Sequence, residues 1–251
     1  MKVLVIDTAL GACTVGVFED DRPLAVRSEC MVKGHSERIG GFVRDAVAEA
    51  GDALGGFESL DRIGVTIGPG SFTGLRVGLA FAQGLGAALG IPVVGVSTLA
   101  ALARSKHPEP TDSMGVAATI DARRGQVYLQ TFHEGLADEP AQALSVDAAC
   151  ALLVKSPDNF AWSLVGSGAP LIVDALPRHW PTPAEQAPTP ERMPSEEATG
   201  LIANPTAEAL AALTLAADPA DHPPSPLYLR APDATPPTRL PGQARPPRQQ
   251  T

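Results

Sequence analysis

Aromatic side chains are scarce in this chain. Phe, Tyr and Trp make up 4% of its 251 residues, against 44% apolar residues in all, so a core has to be assembled from Ala, Val, Leu and Ile. Cysteine is nearly missing as well. Cys13, Cys30 and Cys150 are odd in number, far apart and without C-x-x-C spacing, which excludes a disulfide framework and fits a reducing compartment. Basic charge is in deficit: 19 Lys and Arg against 28 Asp and Glu leave a net −9. A grip on nucleic acid needs a basic surface, so any RNA role has to borrow charge from a partner. No apolar run reaches the roughly 18 unbroken residues of a membrane span. The stretch Val3–Ile6 is too short for a signal peptide. The expectation is a soluble, cytoplasmic protein.

What is present centres on Gly68-Pro69-Gly70-Ser71-Phe72-Thr73-Gly74-Leu75-Arg76-Val77-Gly78. An apolar, strand-like segment, Arg62 to Ile67, precedes it, and a long apolar segment, Gly74 to Leu89, follows and is helical by its length. Strand, glycine turn and helix start are the parts of a phosphate cradle. The helix itself argues for something else. Gly74, Gly78, Ala82, Gly86 and Gly90 recur at every fourth position, with Ala80, Gly84 and Ala88 on a second row. Interior glycines cost about 1 kcal/mol each relative to alanine, and close packing is the compensation. Val77, Phe81, Leu85 and Leu89 add an apolar ridge, so the helix is apolar nearly all round and must be covered nearly all round. A sheet covers one face; the rest needs a second internal layer or a partner protein.

Strands are expected at Lys2–Ile6, Thr14–Phe18 and Leu24–Val32, then a helix over Ser36–Ala50 with Ser36 as N-cap and Gly51 as its stop. Ile39, Phe42, Val43, Ala46, Val47 and Ala50 repeat there at three and four. A strand at 92–96 and a helix capped by Ser97 or Thr98 complete a mixed sheet with helices on its faces. A second unit starts near Met114, with strands at 115–121 and 126–132, a helix at 146–154 and a strand at 161–165. Of the 25 prolines, 18 lie at or beyond Pro170, so structure is expected to thin there. One late helix is expected at 206–217. The Pro-rich end, 231–251, reads as a disordered tail.

Candidate chemistry is thin. Asp7-Thr8, with Gly11 and Thr14 beyond, stands where an ATP-binding hairpin puts its carboxylate, although a polar turn after a buried strand uses the same residues for hydrogen bonding. His35 and Glu37 lack a second histidine at helical spacing, so His35 reads as solvated or capping. Ser71 and Thr73 have no placed base and read as helix caps. Arg123-Arg124 fits an exposed turn. No complete catalytic set, metal set or cofactor site emerges.

Several segments, taken in order, resemble the TsaB family. They are Ile6-Asp7-Thr8-Ala9, His35-Ser36-Glu37-Arg38, the Gly68–Gly78 run, Val96-Ser97-Thr98-Leu99, Ile120-Asp121-Ala122-Arg123 and Pro226-Leu227-Tyr228-Leu229-Arg230. The resemblance runs from Met1 to about Arg230. It implies an α/β fold of two lobes, actin-like and sugar-kinase-like, with a mixed five-stranded sheet in the first lobe and a degenerate nucleotide site. The implied division is 1–104 for the first lobe, completed by the helix near 206–217, and 105–204 for a smaller second lobe. The implied function is a non-catalytic scaffold, the dimerisation subunit that binds and activates a TsaD-like transferase, which threonylcarbamoylates the adenosine next to the anticodon in tRNA. A TsaE-like ATPase docks at the joint, tRNA is met only through the complex, and the chain alone is expected to homodimerise.

By position, the partner interface falls on Ile39, Phe42, Val43, Val47, Gly74, Leu75, Val77, Gly78, Phe81, Ala82, Leu85 and Gly86. TsaD-like proteins use a His-x-x-x-His pair, and Ile39 stands at its second place here. Ala9 replaces the hydroxyl common after Asp-Thr. The alternative reading is a small-molecule kinase or ATPase working through Asp7 and the glycine turn.

Overall fold

The computed structural model describes residues 1–31, 33–106, 114–155, 161–179 and 202–230. The expected tail at 231–251 lies outside the described residues. Strands β1 (Lys2–Asp7), β2 (Ala12–Glu19) and β3 (Arg22–Cys30) form an antiparallel meander. The chain continues through α1 (His35–Leu54), β4 (Arg62–Gly68), α2 (Phe72–Leu89), β5 (Val93–Ser97) and α3 (Thr98–Ser105). The first sheet runs β3-β2-β1-β4-β5, with β1, β4 and β5 parallel, which is the mixed five-stranded sheet expected.

Both faces of this sheet are covered, which is why β1 reads as an unbroken apolar run. Alternation sends Leu4 and Ile6 into the layer beneath α1 and α2, and Val3 and Val5 into the layer on the other face. That second layer is closed by α6 (Ala207–Ala216), which returns late in the chain to pack on β1. The second sheet holds β6 (Met114–Arg123), β7 (Gln126–His133), β8 (Leu136–Ala137), β9 (Gln142–Ser145) and β10 (Ala161–Val165). Its order is β10-β6-β7-β8, with β9 also pairing β7. Helices α4 (Val146–Val154) and α5 (Ala169–His179) bury Cys150, Leu153 and Ile172 against it.

Helix starts follow their hydroxyl caps. Ser71, Ser97, Ser145 and Thr206 each accept a hydrogen bond from the backbone N–H three residues on. Helix α1 differs from expectation: it is preceded by Gly34 in the left-handed region, and no side chain caps it, so Ser36 is its second residue rather than its N-cap. Its helical geometry breaks at Gly51, where a stop was expected, and resumes to Leu54. Helix α5 went unexpected because Pro170 and Pro177 mask it. Pro170 stands in the first turn, where no intrahelical N–H is needed, and Ile172, Ala175 and Leu176 carry its buried stripe.

The glycine row of α2 does not face outward. A Cβ on Gly74 would lie 2.0 Å from the Thr8 carbonyl oxygen, one on Gly78 2.4 Å from Thr8 Oγ1, and one on Gly86 2.4 Å from Val93 Cγ2. These glycines let α2 lie directly on the chain's own sheet. The residues expected at a partner interface divide between the chain's own core and its surface. Ile39, Val43, Val47, Gly74, Leu75, Gly78, Ala82 and Gly86 are buried in the chain's own core. Only Phe42, Val77, Phe81 and Leu85 of that set are half-buried, and it is the second row, Ala80, Gly84 and Ala88, that meets solvent. Among the described residues α2 is also the one helix long and apolar enough to cross a membrane by length and composition.

Candidate functional site

The strand ends and turns where a phosphate would be held converge between the two sheets. A cleft of about 720 Å³ is lined there by Ala9–Gly11, Gly70, Ser71, Asp121, Arg123 and Asn204 among others. Three of its backbone donors are already engaged within the chain. The Ser71 N–H donates to the Ala9 carbonyl at 2.7 Å, the Gly11 N–H to Asn204 Oδ1 at 3.0 Å, and the Ala9 N–H to Asp7 Oδ1 at 2.9 Å. Thr8 Oγ1 donates to the Gly74 carbonyl at 2.8 Å, and a Cβ on Gly70 would meet the Ala9 oxygen at 2.4 Å. The β1–β2 turn is thus pressed onto the start of α2 and fills the concavity that phosphate oxygens need. Arg123, the cation at the rim, is held by Asp121 at 3.3 Å. These residues do not fit a nucleotide phosphate.

Asp7 closes the same account. Its side chain is fully buried, with Oδ1 accepting from Ala9 N–H and from Thr66 Oγ1 at 2.8 Å, while Oδ2 has no hydrogen-bond partner. Burial pushes its carboxyl pKa up, partly offset by those two hydrogen bonds and by the charge of His35. His35, expected to be solvated or capping, is buried at 8% exposure with Nε2 unpartnered. Burial, together with the charges of Asp7 and Glu29, pushes the Cys13 thiol up to about 11, so it is inert as a nucleophile. Ser71 is a helix cap as expected, whereas Thr73 lies inside α2 and caps nothing. Arg123 and Arg124 do sit on an exposed turn, both at positive φ. No group of three or more His, Cys, Asp or Glu among the described residues could hold a metal.

What remains is a surface. Helices α1 and α2 lie side by side, with Gly40 of α1 near the Phe81 ring of α2. The outer face of α2 carries Val77, Phe81 and Leu85 half-buried beside exposed Ala80, Gly84 and Ala88, while Phe42 of α1 is half-buried with the Arg38 guanidinium over its ring. Gly41 and Gly84 have nothing within 4 Å of where a Cβ would stand. The inner glycines have a reason in this fold; these two have none. Sequence reasoning missed the distinction because both rows are small and both repeat at four, and a wheel cannot say which one meets the sheet. It also missed Tyr228, whose ring packs on Phe72 at 5.4 Å.

Two mixed sheets, the first a meander leading into a parallel core, with a glycine turn packed against the β1–β2 turn, define a two-sheet α/β protein. The family model described as "TsaD: tRNA N6-adenosine threonylcarbamoyltransferase" matches residues 26–160, more than half of the chain. The Escherichia coli protein TsaB, named for tRNA threonylcarbamoyladenosine biosynthesis, is 38% identical over 128 residues, which cover 51% of this chain and only 53% of that one. An uncharacterized protein of Mycobacterium tuberculosis is 35% identical over 237 residues, covering 93% of this chain and 94% of its own. The solved structure of YeaZ from Pseudomonas aeruginosa superposes with a TM-score of 0.66 at 27% identity, over 91% of this chain and 99% of that one. The chain belongs to the threonylcarbamoyltransferase family, as a TsaB-type member.

Proposed function

We propose that this chain takes part in making threonylcarbamoyladenosine in tRNA, in the cytoplasm, as a non-catalytic scaffold that binds and activates a TsaD-like transferase. One observation carries the partner reading: Gly84 stands inside α2, exposed beside Val77, Ala80 and Ala88, with no contact in its own fold to repay its cost. A partner helix brought close against α1 and α2 repays it. The filled phosphate turn supports a role without chemistry of its own, and the net charge of −9 supports a chain that meets tRNA only through the complex. A TsaE-like ATPase belongs to the same assembly.

Gly84→Arg tests the reading cleanly. The new side chain has room in the free chain, so its melting temperature should hold or rise, while co-purification with the TsaD-like partner should fall at least tenfold. Unchanged co-purification would remove this face from the interface. The competing kinase or ATPase reading is checked by calorimetry with magnesium and ATP on the isolated chain, where no binding heat is expected. Tight binding abolished by Asp7→Ala would replace the scaffold with an enzyme.

A further inference from the structure

Beyond α6, residues 218–230 form a strap with little regular structure that is nonetheless held along its length. The Gly95 N–H donates to the His222 carbonyl at 2.9 Å, and Gln83 Nε2 of α2 donates to the Pro224 carbonyl at 2.7 Å. The Leu227 N–H donates to Ile67 at 2.8 Å, and an Arg230 guanidinium N–H reaches the Ala122 carbonyl in the second sheet at 3.2 Å. The strap therefore crosses the N-terminal end of α2, and there it sets Tyr228 beside Phe72.

These two rings are large apolar groups left in solvent, 44% and 50% exposed. They are also fixed in place. The Arg76 guanidinium lies 3.8 Å above the Phe72 ring, its Nε donates to Tyr228 Oη at 3.4 Å, and the rings stand 5.4 Å apart. An exposed Phe–Arg–Tyr cluster, ordered before anything binds, has the composition and preorganisation of an interface anchor. Its charge sets what it accepts. The first turn of α2 holds no acidic residue, and its N–H groups add their positive end to that of Arg76, in a chain that is otherwise net negative. A single arginine is too little for a nucleic acid, which needs several cations.

We infer that the strap extends the partner surface of α2, with Phe72, Arg76 and Tyr228 anchoring a segment of the partner protein that presents a carboxylate flanked by apolar side chains. This rests on the scaffold reading above, and its occupant is the same transferase subunit.

The test measures binding of the purified transferase paralogue from the same genome to the full-length chain, by calorimetry at low and high salt. Tyr228→Ala and Arg76→Glu should each weaken binding at least tenfold with melting temperature nearly unchanged, and Arg76→Glu should also flatten the salt dependence. Gly84→Arg serves as the control for the helix face. If it abolishes binding while Tyr228→Ala, Phe72→Ala and Arg76→Glu leave it intact, the anchor is refuted and the helix reading survives. If Gly84→Arg has no effect, the helix reading fails. If Arg76→Glu weakens tRNA binding by the assembled complex and leaves the transferase affinity unchanged, the cluster is an RNA contact and the inference is overturned.

Discussion

Asp7 shows how closely the surroundings of one carboxylate decide its behaviour. The sequence offered it as the carboxylate of an ATP hairpin or as an ordinary hydrogen-bonding residue of a polar turn, and the chain does place it at the end of the first buried strand. What no sequence reading could supply was the closure around it, because that depends on the Ala9 carbonyl meeting Ser71 and on Asn204, almost two hundred residues away, capping Gly11. The consequence is measurable. Folding raises the pKa of this carboxyl through burial, so the folded chain holds the proton more tightly than the unfolded one. Its contribution to stability is therefore greatest below its unfolded value, roughly 3.9, and is lost as pH rises through the folded value. Asp7→Asn keeps the acceptor for Ala9 and Thr66 and removes the buried charge. It should lose the pH dependence that this carboxyl contributes, so its stability relative to the parent improves as pH rises through the folded pKa and worsens toward acid, as urea melts across pH will record.

At the scale of the element, α2 divides into a row that serves the fold and a row that serves nothing within it. The distinction predicts opposite signs for one substitution. Gly78→Ala puts a methyl 2.4 Å from Thr8 Oγ1 and should lower the melting temperature, through an overpacking cost of about 1–3 kcal/mol. Gly84→Ala meets open space and should raise it, by up to about 1 kcal/mol of helix propensity. Thermal melts of the two variants decide it. Most elements were legible, since buried strands are continuous apolar runs and α2, α3, α4 and α6 announce themselves by a hydroxyl cap ahead of an apolar repeat. The short β8 and β9 were not, because two to four half-exposed residues carry no period. The orientation of α2 was not either: it is set by the sheet beneath, and periodicity records spacing without recording direction.

For the molecule as a whole, the outer face of α1 and α2 predicts behaviour in dilute solution. A second copy can offer the same apolar face when no transferase is present, so the isolated chain should self-associate with increasing concentration, and Gly84→Arg should hold it monomeric. Light scattering over a hundredfold range of concentration tests this. A monomer at every concentration would mean that the face is not adhesive by itself.

At Gly74 the start of α2 meets the Thr8 carbonyl, in the turn that follows β1, with no side chain between to act as a cushion. A load applied to the outside of the helix start therefore passes directly into the β1–β2 turn, with little slack between. If the proposed partner lands there, it has to bring the adjustment itself, so mobility lost on assembly should be found in the incoming subunit more than in this one.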